Sequence, residues 1–206
     1  MENGKGYKKI MMMFDPKILD LKYHINGLMP ETICQSFIRF FEENVDSSMP
    51  EQSYKYKEKK MMKDNFNCIN LSELRNVDEK FVKPFEVAKQ YIGICISNYV
   101  LHVQNKICPT FSDKLINKTS NIRILRYEEG ENIKDHCDVG PLERASITIN
   151  LNEDYEGGKF RFFDGQVKEV LKTGEAMIFP AEPIWIHGTE PVTKGTRYSI
   201  NCFLHS

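Results

Sequence analysis

The sequence predicts an α+β fold, with helices in the first part of the chain and short strands in the second. The 206-residue chain changes character near residue 120. Before that point, apolar residues recur every three or four positions, which is the period of an amphipathic helix. After it, short alternating runs are separated by glycine-rich turns, as in antiparallel sheets. We therefore expect a helical region with a basic loop over residues 1–120, packed on a β core over residues 121–206, within one integrated domain.

Two helices are predicted before residue 120. The first begins near Pro30, because proline is favoured in a first helical turn and apolar residues follow at helical spacing. The second begins near Asp78 and carries one long apolar stripe, which indicates core packing rather than chemistry. The members of this stripe are Phe81, Phe85, Ala88, Ile92, Cys95, Tyr99 and Val103. Between the helices, the lysine- and tyrosine-rich stretch 54–60 is expected to be a solvated loop or an edge strand, with contact to an acidic substrate as the alternative.

Six strands are predicted after residue 120, with turn sequences at 155–158 and 164–165 between them. Many short, closely spaced strands are typical of a β-sandwich or barrel. We therefore expect a double-stranded β-helix, or jelly roll, with the N-terminal helices packed outside it. The expected strands are Arg123–Tyr127, Ser146–Leu151, Lys159–Phe163, Glu175–Phe179, Ile184–His187 and Arg197–Leu204.

Composition and charge argue against several classes of function. The formal net charge is −1 at pH 7, so no global field draws the chain to nucleic acid or to a membrane surface. No apolar run approaches the ~20 residues of a membrane span, and the first residues lack a secretion signal. The six cysteines form no CxxC pair, which favours free thiols in a reducing compartment. We expect a cytoplasmic protein without a nucleic-acid or membrane partner, and its oligomeric state stays open.

The sequence His136-Cys137-Asp138, with His187 in a later segment, predicts an iron(II) site. Residues i and i+2 of an extended segment point to the same side, so His136 and Asp138 can bind one ion while Cys137 points away. His187 would supply the third ligand from a separate strand. Two imidazoles and one carboxylate on one face of an octahedral ion leave the opposite face open, as in non-haem iron oxygenases.

Arg197 follows His187 by ten residues and lies in another β-like run. Its guanidinium offers a fixed fork of donors that matches the two oxygens of a carboxylate. We therefore predict that Arg197 binds a carboxylate near the metal.

An HxD pair alone occurs by chance in many proteins, but here it belongs to an ordered series of sequence blocks. The blocks are Arg126–Gly130, His136–Asp138, Arg144–Asn152, Glu156–Gly158, Gly174–Pro180 and His187–Arg197. In their order and spacing, the C-terminal part of the chain resembles the prolyl 4-hydroxylase-like branch of the Fe(II)/2-oxoglutarate-dependent dioxygenases. The resemblance implies Fe(II) as cofactor, 2-oxoglutarate and O₂ as cosubstrates, and ascorbate as a reductant.

The resemblance also implies roles for individual residues. His136, Asp138 and His187 correspond to the metal ligands at which catalysis occurs, and Arg197 corresponds to the anchor of the distal carboxylate of 2-oxoglutarate. Tyr127 resembles a tyrosine that lines the cosubstrate pocket, with a core aromatic as the alternative role.

One position departs from the pattern of the family. Many members carry a carboxylate-binding tyrosine where this chain has Asn150, so we expect that duty to fall to Asn150 or to Thr148 on the same strand face. Ser199 also points to the Arg197 side and is a further candidate. Each of these polar residues has cross-strand hydrogen bonding as its alternative role. Trp185 either walls the pocket or packs inside the barrel.

The sequence determines the substrate least. The resemblance implies hydroxylation of a prolyl residue in a protein or peptide, with the loop 138–144 and the segment 54–70 as candidates to cover the peptide. Hydroxylation of a free amino acid or another small metabolite stays an alternative, as does a jelly-roll module that binds metal without turnover. Nucleobase demethylation is disfavoured, because no basic stripe with stacking aromatics accompanies the barrel.

Overall fold

The computed structural model describes residues 17–55, 60–138 and 140–206, and it describes their side chains except at positions 52–55 and 60–64. The helices are α1 (Glu31–Glu43), α2 (Leu71–Leu74) and α3 (Val82–Lys106), with 3-10 turns at Ile18–Leu21, Val45–Ser47, Glu79–Phe81 and Asp113–Leu115. The strands are β1 (Tyr23–Ile25), β2 (Met49–Lys55), β3 (Lys60–Asn70), β4 (Lys118–Tyr127), β5 (Glu143–Asn150), β6 (Glu156–Gly157), β7 (Phe160–Phe162), β8 (Val167–Glu169), β9 (Ala176–Pro180), β10 (His187–Thr189), β11 (Val192–Lys194) and β12 (Arg197–His205).

The strands form one large antiparallel sheet and two small ones. The large sheet has seven strands in the order β1-β9-β5-β12-β4-β3-β2, and the small sheets are β10-β7-β8 and β11-β6. Phe160 and Phe162 of β7 pack against Met177 and Phe179 of β9, so the three-stranded sheet lies on one face of the large sheet. This arrangement confirms the expected jelly-roll core.

Alternation along the strands directs each side chain to one face of the large sheet. On β4, Ile122 and Ile124 are buried in the cluster that contains the helices, whereas Leu125 and Tyr127 belong to a separate cluster. On β9, Ile178 likewise faces the helices, and its neighbours face the small sheet. Because successive residues of a strand point to opposite faces, the helices cover one face and leave the other for the site.

The helices begin and pack as the sequence predicts. α1 starts directly after Pro30, and the predicted apolar stripe of α3 is buried along its whole length. A short polar connection joins α1 to the sheet: the Tyr198 hydroxyl donates a hydrogen bond to Glu42 at 2.6 Å, and Arg126 forms an ion pair with the same carboxylate at 3.2 Å. Both helices are therefore fixed on the face of the sheet that the site does not use.

The region before residue 120 also contributes strands, and apart from an edge strand around residue 54 the sequence pattern did not indicate them. β1 pairs with β9, and β3 pairs with β4, so both extend the large sheet. β2 lies at the edge, in agreement with the edge strand expected around residue 54, whereas residues 56–59 lie outside the described residues. These strands are either short or rich in polar residues, so they lack the alternation that marks the later strands.

Three further features bear on the sequence predictions. β10 begins only at His187, because Ile184 lies in a turn and Trp185 packs in the barrel with Phe162 and Phe179. All six cysteines are free thiols, as expected. Among the described residues, none of the helices combines the length and the apolar character needed to cross a membrane.

Candidate metal and cosubstrate site

A pair of backbone hydrogen bonds brings the HxD segment to the second histidine. The amide of His136 donates to the carbonyl of His187 at 2.9 Å, and the amide of His187 donates back to the carbonyl of His136 at 2.8 Å. This isolated antiparallel bridge places the HxD loop next to the first residue of β10. Two histidines that are far apart in the sequence therefore become direct cross-strand neighbours.

The three side chains of this cluster converge on each other. His136 Nε2 lies 3.1 Å from Asp138 Oδ1, and His187 Nε2 lies 3.4 Å from Asp138 Oδ2. The candidate ligand atoms of the three residues all lie within 4.8 Å of one another. This spacing allows one small ion to contact two imidazole nitrogens and one carboxylate oxygen, which is the 2-His-1-carboxylate donor set of non-haem Fe(II).

Backbone carbonyls orient both imidazole rings. His136 Nδ1 lies 2.8 Å from the carbonyl oxygen of Lys134, and His187 Nδ1 lies 2.9 Å from that of Trp185. A carbonyl oxygen can only accept, so each Nδ1 must carry the proton, and the lone pair is left on Nε2. Metal-ligating histidines commonly have such a partner, which fixes the tautomer and the ring orientation. The residues therefore fit a divalent metal.

The protonation states of the cluster also suit metal binding. Burial by itself would raise the pKa of Asp138, but His187, His136 and the hydroxyl of Ser146 hold it well below the usual range of an aspartate. Burial lowers the pKa of His187, and this effect outweighs the opposing attraction of Asp138. The carboxylate is thus ionised and the imidazole of His187 is neutral, which are the forms that metal binding requires.

Arg197 is a buried cation with an incomplete set of partners. It is only 2% exposed, and its guanidinium carbon lies 5.1 Å from the centre of the Tyr127 ring and 5.2 Å from that of Phe160. Within the described part of the chain, its Nε has no hydrogen-bond partner. A buried charge is costly unless it is paired, so this guanidinium is suited to an anionic ligand.

Tyr127 lies directly opposite Arg197 in the β4–β12 pairing. Its ring is buried and stacks on Phe66, with 4.5 Å between the ring centres. Burial raises the pKa of the Tyr127 phenol, so the hydroxyl keeps its proton and can act as a donor. The residue lines the same cleft as His136, Asp138 and His187.

The three polar candidates near Arg197 already use their hydrogens. Asn150 donates its two amide hydrogens to the carbonyls of Asn152, at 2.6 Å, and Leu171, at 2.8 Å. Thr148 and Ser199 both donate to the side-chain oxygen of Asn201, at 3.3 Å and 3.0 Å. Of these bonds, only that of Thr148 crosses between strands; Ser199 bonds within its own strand, and Asn150 bonds to two carbonyls outside the strands.

Two cavities meet at Phe160. A cleft of about 1000 Å³ contains the histidine–aspartate cluster and continues along the open face of β4. A cavity of about 190 Å³ contains Arg197 and Asn150. Phe160 lines both, so the two cavities adjoin at this residue, whose ring lies near both His187 and the guanidinium of Arg197.

Three residues of the site escaped the sequence analysis. Ser146 donates a hydrogen bond to Asp138, Asn201 accepts from two neighbouring hydroxyls, and Tyr155 lines the cavity of Arg197. The period of two along the strands gives a signal for the first two. Ser146 shares a strand face with Thr148, and Asn201 continues the alternation that begins at Arg197. Tyr155 offered no such signal, because its segment resembles a turn.

Comparisons with known proteins agree with this geometry. Residues 122–205 match the family model of the 2OG-Fe(II) oxygenase superfamily. The β core of the chain thus resembles this superfamily. A PKHD-type hydroxylase of Delftia acidovorans (strain DSM 14801 / SPH-1) is 29% identical over 128 residues, which are 55% of this chain and 56% of that protein. The matched region thus spans little more than half of that relative.

Solved structures with the same fold include several prolyl hydroxylases. One from Trichoplax adhaerens, in complex with a peptide fragment of hypoxia inducible factor, aligns over 100% of this chain and 94% of its own, with a TM-score of 0.66 and 12% identity. A prolyl-4-hydroxylase of Pseudomonas putida aligns over 90% of this chain and 92% of its own, with a TM-score of 0.58 and 13% identity. These structures show the same fold, and together with the family match and the PKHD-type relative they confirm the resemblance to prolyl 4-hydroxylase-like oxygenases.

Proposed function

We propose that the chain is an Fe(II)- and 2-oxoglutarate-dependent dioxygenase that hydroxylates a prolyl residue in a protein or peptide. The observation that carries the proposal is the convergence of two oriented imidazoles and one ionised carboxylate, with the incompletely paired Arg197 linked to them through Phe160, whose ring centre lies 6.5 Å from that of His187 and 5.2 Å from the guanidinium carbon. A structural metal site needs neither an open coordination face nor a buried cation that can receive a dicarboxylate. The superfamily match of the barrel segment and the prolyl hydroxylases among the structural neighbours support the same activity.

The residues of the chain take separate roles in this reaction. His136, Asp138 and His187 would hold the metal, and Arg197 would bind the distal carboxylate of 2-oxoglutarate. With O₂, the bound iron and cosubstrate supply an oxidative decarboxylation to succinate and CO₂, coupled to insertion of one oxygen atom into a C–H bond.

Aromatic rings shield one side of the metal cluster. Phe179 lies 4.7 Å from the ring of His187, and Phe162 lies 5.8 Å from it, measured between ring centres. Both rings belong to the buried cluster between the two sheets. Phe179 also lines the cleft, so the two rings form an apolar wall beside His187 that would limit the access of water to a bound metal.

The shape of the cleft favours a polypeptide over a free amino acid. Asn121, Arg123, Leu125 and Tyr127 form a row along β4, and all four line the cleft that contains the metal cluster. A strand rises about 3.3 Å per residue, so this row extends for about 20 Å. A free amino acid needs no such length, whereas an extended peptide of several residues does.

The proposal is tested by reconstituting the protein with Fe(II) under anaerobic conditions and then adding 2-oxoglutarate and O₂, with and without a pool of proline-rich peptides. We expect peptide-stimulated succinate and a mass increase of one oxygen atom located on proline. Addition or omission of ascorbate in the same assay shows whether a reductant sustains turnover. Substitution of His136 by alanine provides the inactive control.

Other outcomes would replace the proposal with one of the alternatives. Succinate formation without peptide oxidation would support the assignment as an oxygenase but favour a small metabolite as its substrate. Metal-loaded protein that forms no succinate with any peptide or metabolite would contradict the oxygenase and favour a binding module.

A further inference from the structure

The cavity of Arg197 contains a second residue that can bind a carboxylate. Besides Arg197, Asn150 and Phe160, the cavity is lined by Tyr155, whose hydroxyl lies 3.4 Å from the side-chain oxygen of Asn150. This distance is near the limit for a hydrogen bond, so the existing interaction is weak. The Tyr155 hydroxyl can therefore exchange its partner for a stronger acceptor at little cost.

The donors that a carboxylate needs are scarce around Arg197. A carboxylate only accepts hydrogen bonds, so each partner must offer an N–H or O–H group. The amide hydrogens of Asn150 are used by two backbone carbonyls, and the hydroxyl hydrogens of Thr148 and Ser199 are used by Asn201. Tyr155 differs from these three residues because its only described acceptor is a distant amide oxygen.

Gly158 allows Tyr155 and Arg197 to approach each other. A Cβ atom at Gly158 would lie 3.1 Å from Arg197 Cδ and 3.1 Å from Tyr155 Cε2, so both side chains occupy the space beside the missing side chain. The ring of Tyr155 also packs against the apolar cluster that contains Tyr127 and Val192. The ring is thus held in place while its hydroxyl faces the cavity.

We propose that the Tyr155 hydroxyl, together with Arg197, binds the distal carboxylate of 2-oxoglutarate. Arg197 supplies the charge, and Tyr155 supplies the neutral donor that Asn150, Thr148 and Ser199 lack. This inference rests on the proposed function, because it concerns the cosubstrate of that reaction. The sequence analysis expected Asn150 or Thr148 of β5 to bind this carboxylate. The proposal gives the contact to Tyr155, which lies in the turn before β6.

Equilibrium binding to the anaerobic Fe(II) protein tests this inference without turnover. Calorimetry compares 2-oxoglutarate with 2-oxopentanoate, which has the same carbon chain and keto acid but no distal carboxylate. A hydrogen bond to a charged group typically contributes enough that Tyr155→Phe should weaken 2-oxoglutarate binding about tenfold. The affinity for 2-oxopentanoate should not change. Tyr91→Phe, which removes a hydroxyl from α3 on the opposite face of the sheet, should change neither affinity.

The remaining outcomes separate this inference from the proposed function. If Tyr155→Phe binds 2-oxoglutarate with wild-type affinity, the inference is overturned, but the proposed oxygenase function is not affected. An equal loss for both ligands would overturn it in favour of a purely structural tyrosine. Lys159 is an exposed cation on the wall of the same cavity, so a loss confined to Lys159→Met would assign the second contact to that lysine. Wild-type protein that does not bind 2-oxoglutarate would contradict the proposed function itself.

Discussion

At the scale of single residues, Asp138 joins the two imidazoles into one cluster. Its two oxygens face His136 Nε2 and His187 Nε2, and Ser146 donates a hydrogen bond to it. No other described acidic residue or cysteine belongs to this group of candidate ligands. The metal affinity of the site should therefore depend on this carboxylate more than on any neighbouring side chain.

We predict that Asp138→Ala abolishes iron-dependent succinate formation, because it removes the anionic ligand and leaves two neutral ones. Cys137→Ser is the matched control, since Cys137 lies between His136 and Asp138 in the sequence but outside the cluster of candidate ligands. It should keep nearly normal iron affinity. The measurements are Fe(II) binding by anaerobic calorimetry and succinate release. Turnover that persists in Asp138→Ala, or iron binding that is lost in Cys137→Ser, would contradict the assignment.

Arg197 has a different predicted effect, because it should act on the cosubstrate and not on the metal. Loss of a charge-assisted contact typically costs about 1.5–3 kcal/mol, so Arg197→Ala should raise the KM for 2-oxoglutarate roughly tenfold to a hundredfold. Arg197→Lys keeps the charge without the fork of donors and should fall between this variant and the wild type. Steady-state kinetics with 2-oxoglutarate as the varied substrate measure the effect, and an unchanged KM would disprove the role.

At the scale of secondary-structure elements, α3 supports the sheet without contributing to the site. Ile92 on its buried stripe is 0% exposed, whereas Ile94 on the opposite side is 41% exposed. We predict that Ile92→Ala lowers the free energy of unfolding by about 2–5 kcal/mol, because it leaves a cavity in the core. Ile94→Ala should change it by less than about 0.5 kcal/mol. Urea denaturation followed by circular dichroism measures both, and similar values for the two variants would contradict this packing.

The sequence predicted those elements whose pattern is strong and local. The stripe of α3 and the alternation of β4, β5 and β12 each extend over many residues, so their period was visible. β1 has three residues, and β3 has a polar composition, so both depend on pairing with strands that are distant in the sequence. Such pairing leaves no local pattern, so the contribution of β1 and β3 to the sheet could not be inferred.

The residues of the candidate site also divide into those that a sequence pattern indicated and those whose contacts depend on distant parts of the chain. The order of the sequence blocks indicated His136, Asp138, His187 and Arg197, and the structure brings the first three together. The hydrogen-bond partners of Thr148 and Asn150 come from other parts of the chain, which the fold brings next to them: Asn201 for Thr148, and the carbonyl of Leu171 for Asn150. These contacts are decided by packing in three dimensions, and for the same reason the position of Tyr155 could not be read from a turn sequence.

At the scale of the whole molecule, the proposed peptide lies along the large cleft, whereas the distal carboxylate of the cosubstrate lies in the smaller cavity of Arg197, which adjoins the cleft at Phe160. Phe203 lines the peptide cleft, far along β12 from Arg197, and the guanidinium of Arg123 lies 5.0 Å from the centre of its ring. Substitutions in the two cavities should therefore have separable effects.

We predict that Phe203→Ala raises the KM for a peptide substrate severalfold and leaves the affinity for 2-oxoglutarate unchanged, because it removes apolar contact area from the cleft alone. Tyr155→Phe should show the reverse pattern. The two substrates are varied independently in the succinate assay, and each variant is compared with the wild type. A change of both constants in Phe203→Ala would show that the cavities are coupled.

The backbone bridge between His136 and His187 has a consequence for how the site assembles. Both amide hydrogens are held by the partner histidine, so neither can exchange with solvent deuterium unless the two segments separate. The entropic cost of bringing these distant segments together then arises during folding and not during ligand binding. Slow exchange at these two amides in metal-free protein would identify a site that is pre-formed, and its rate would report how often the site opens.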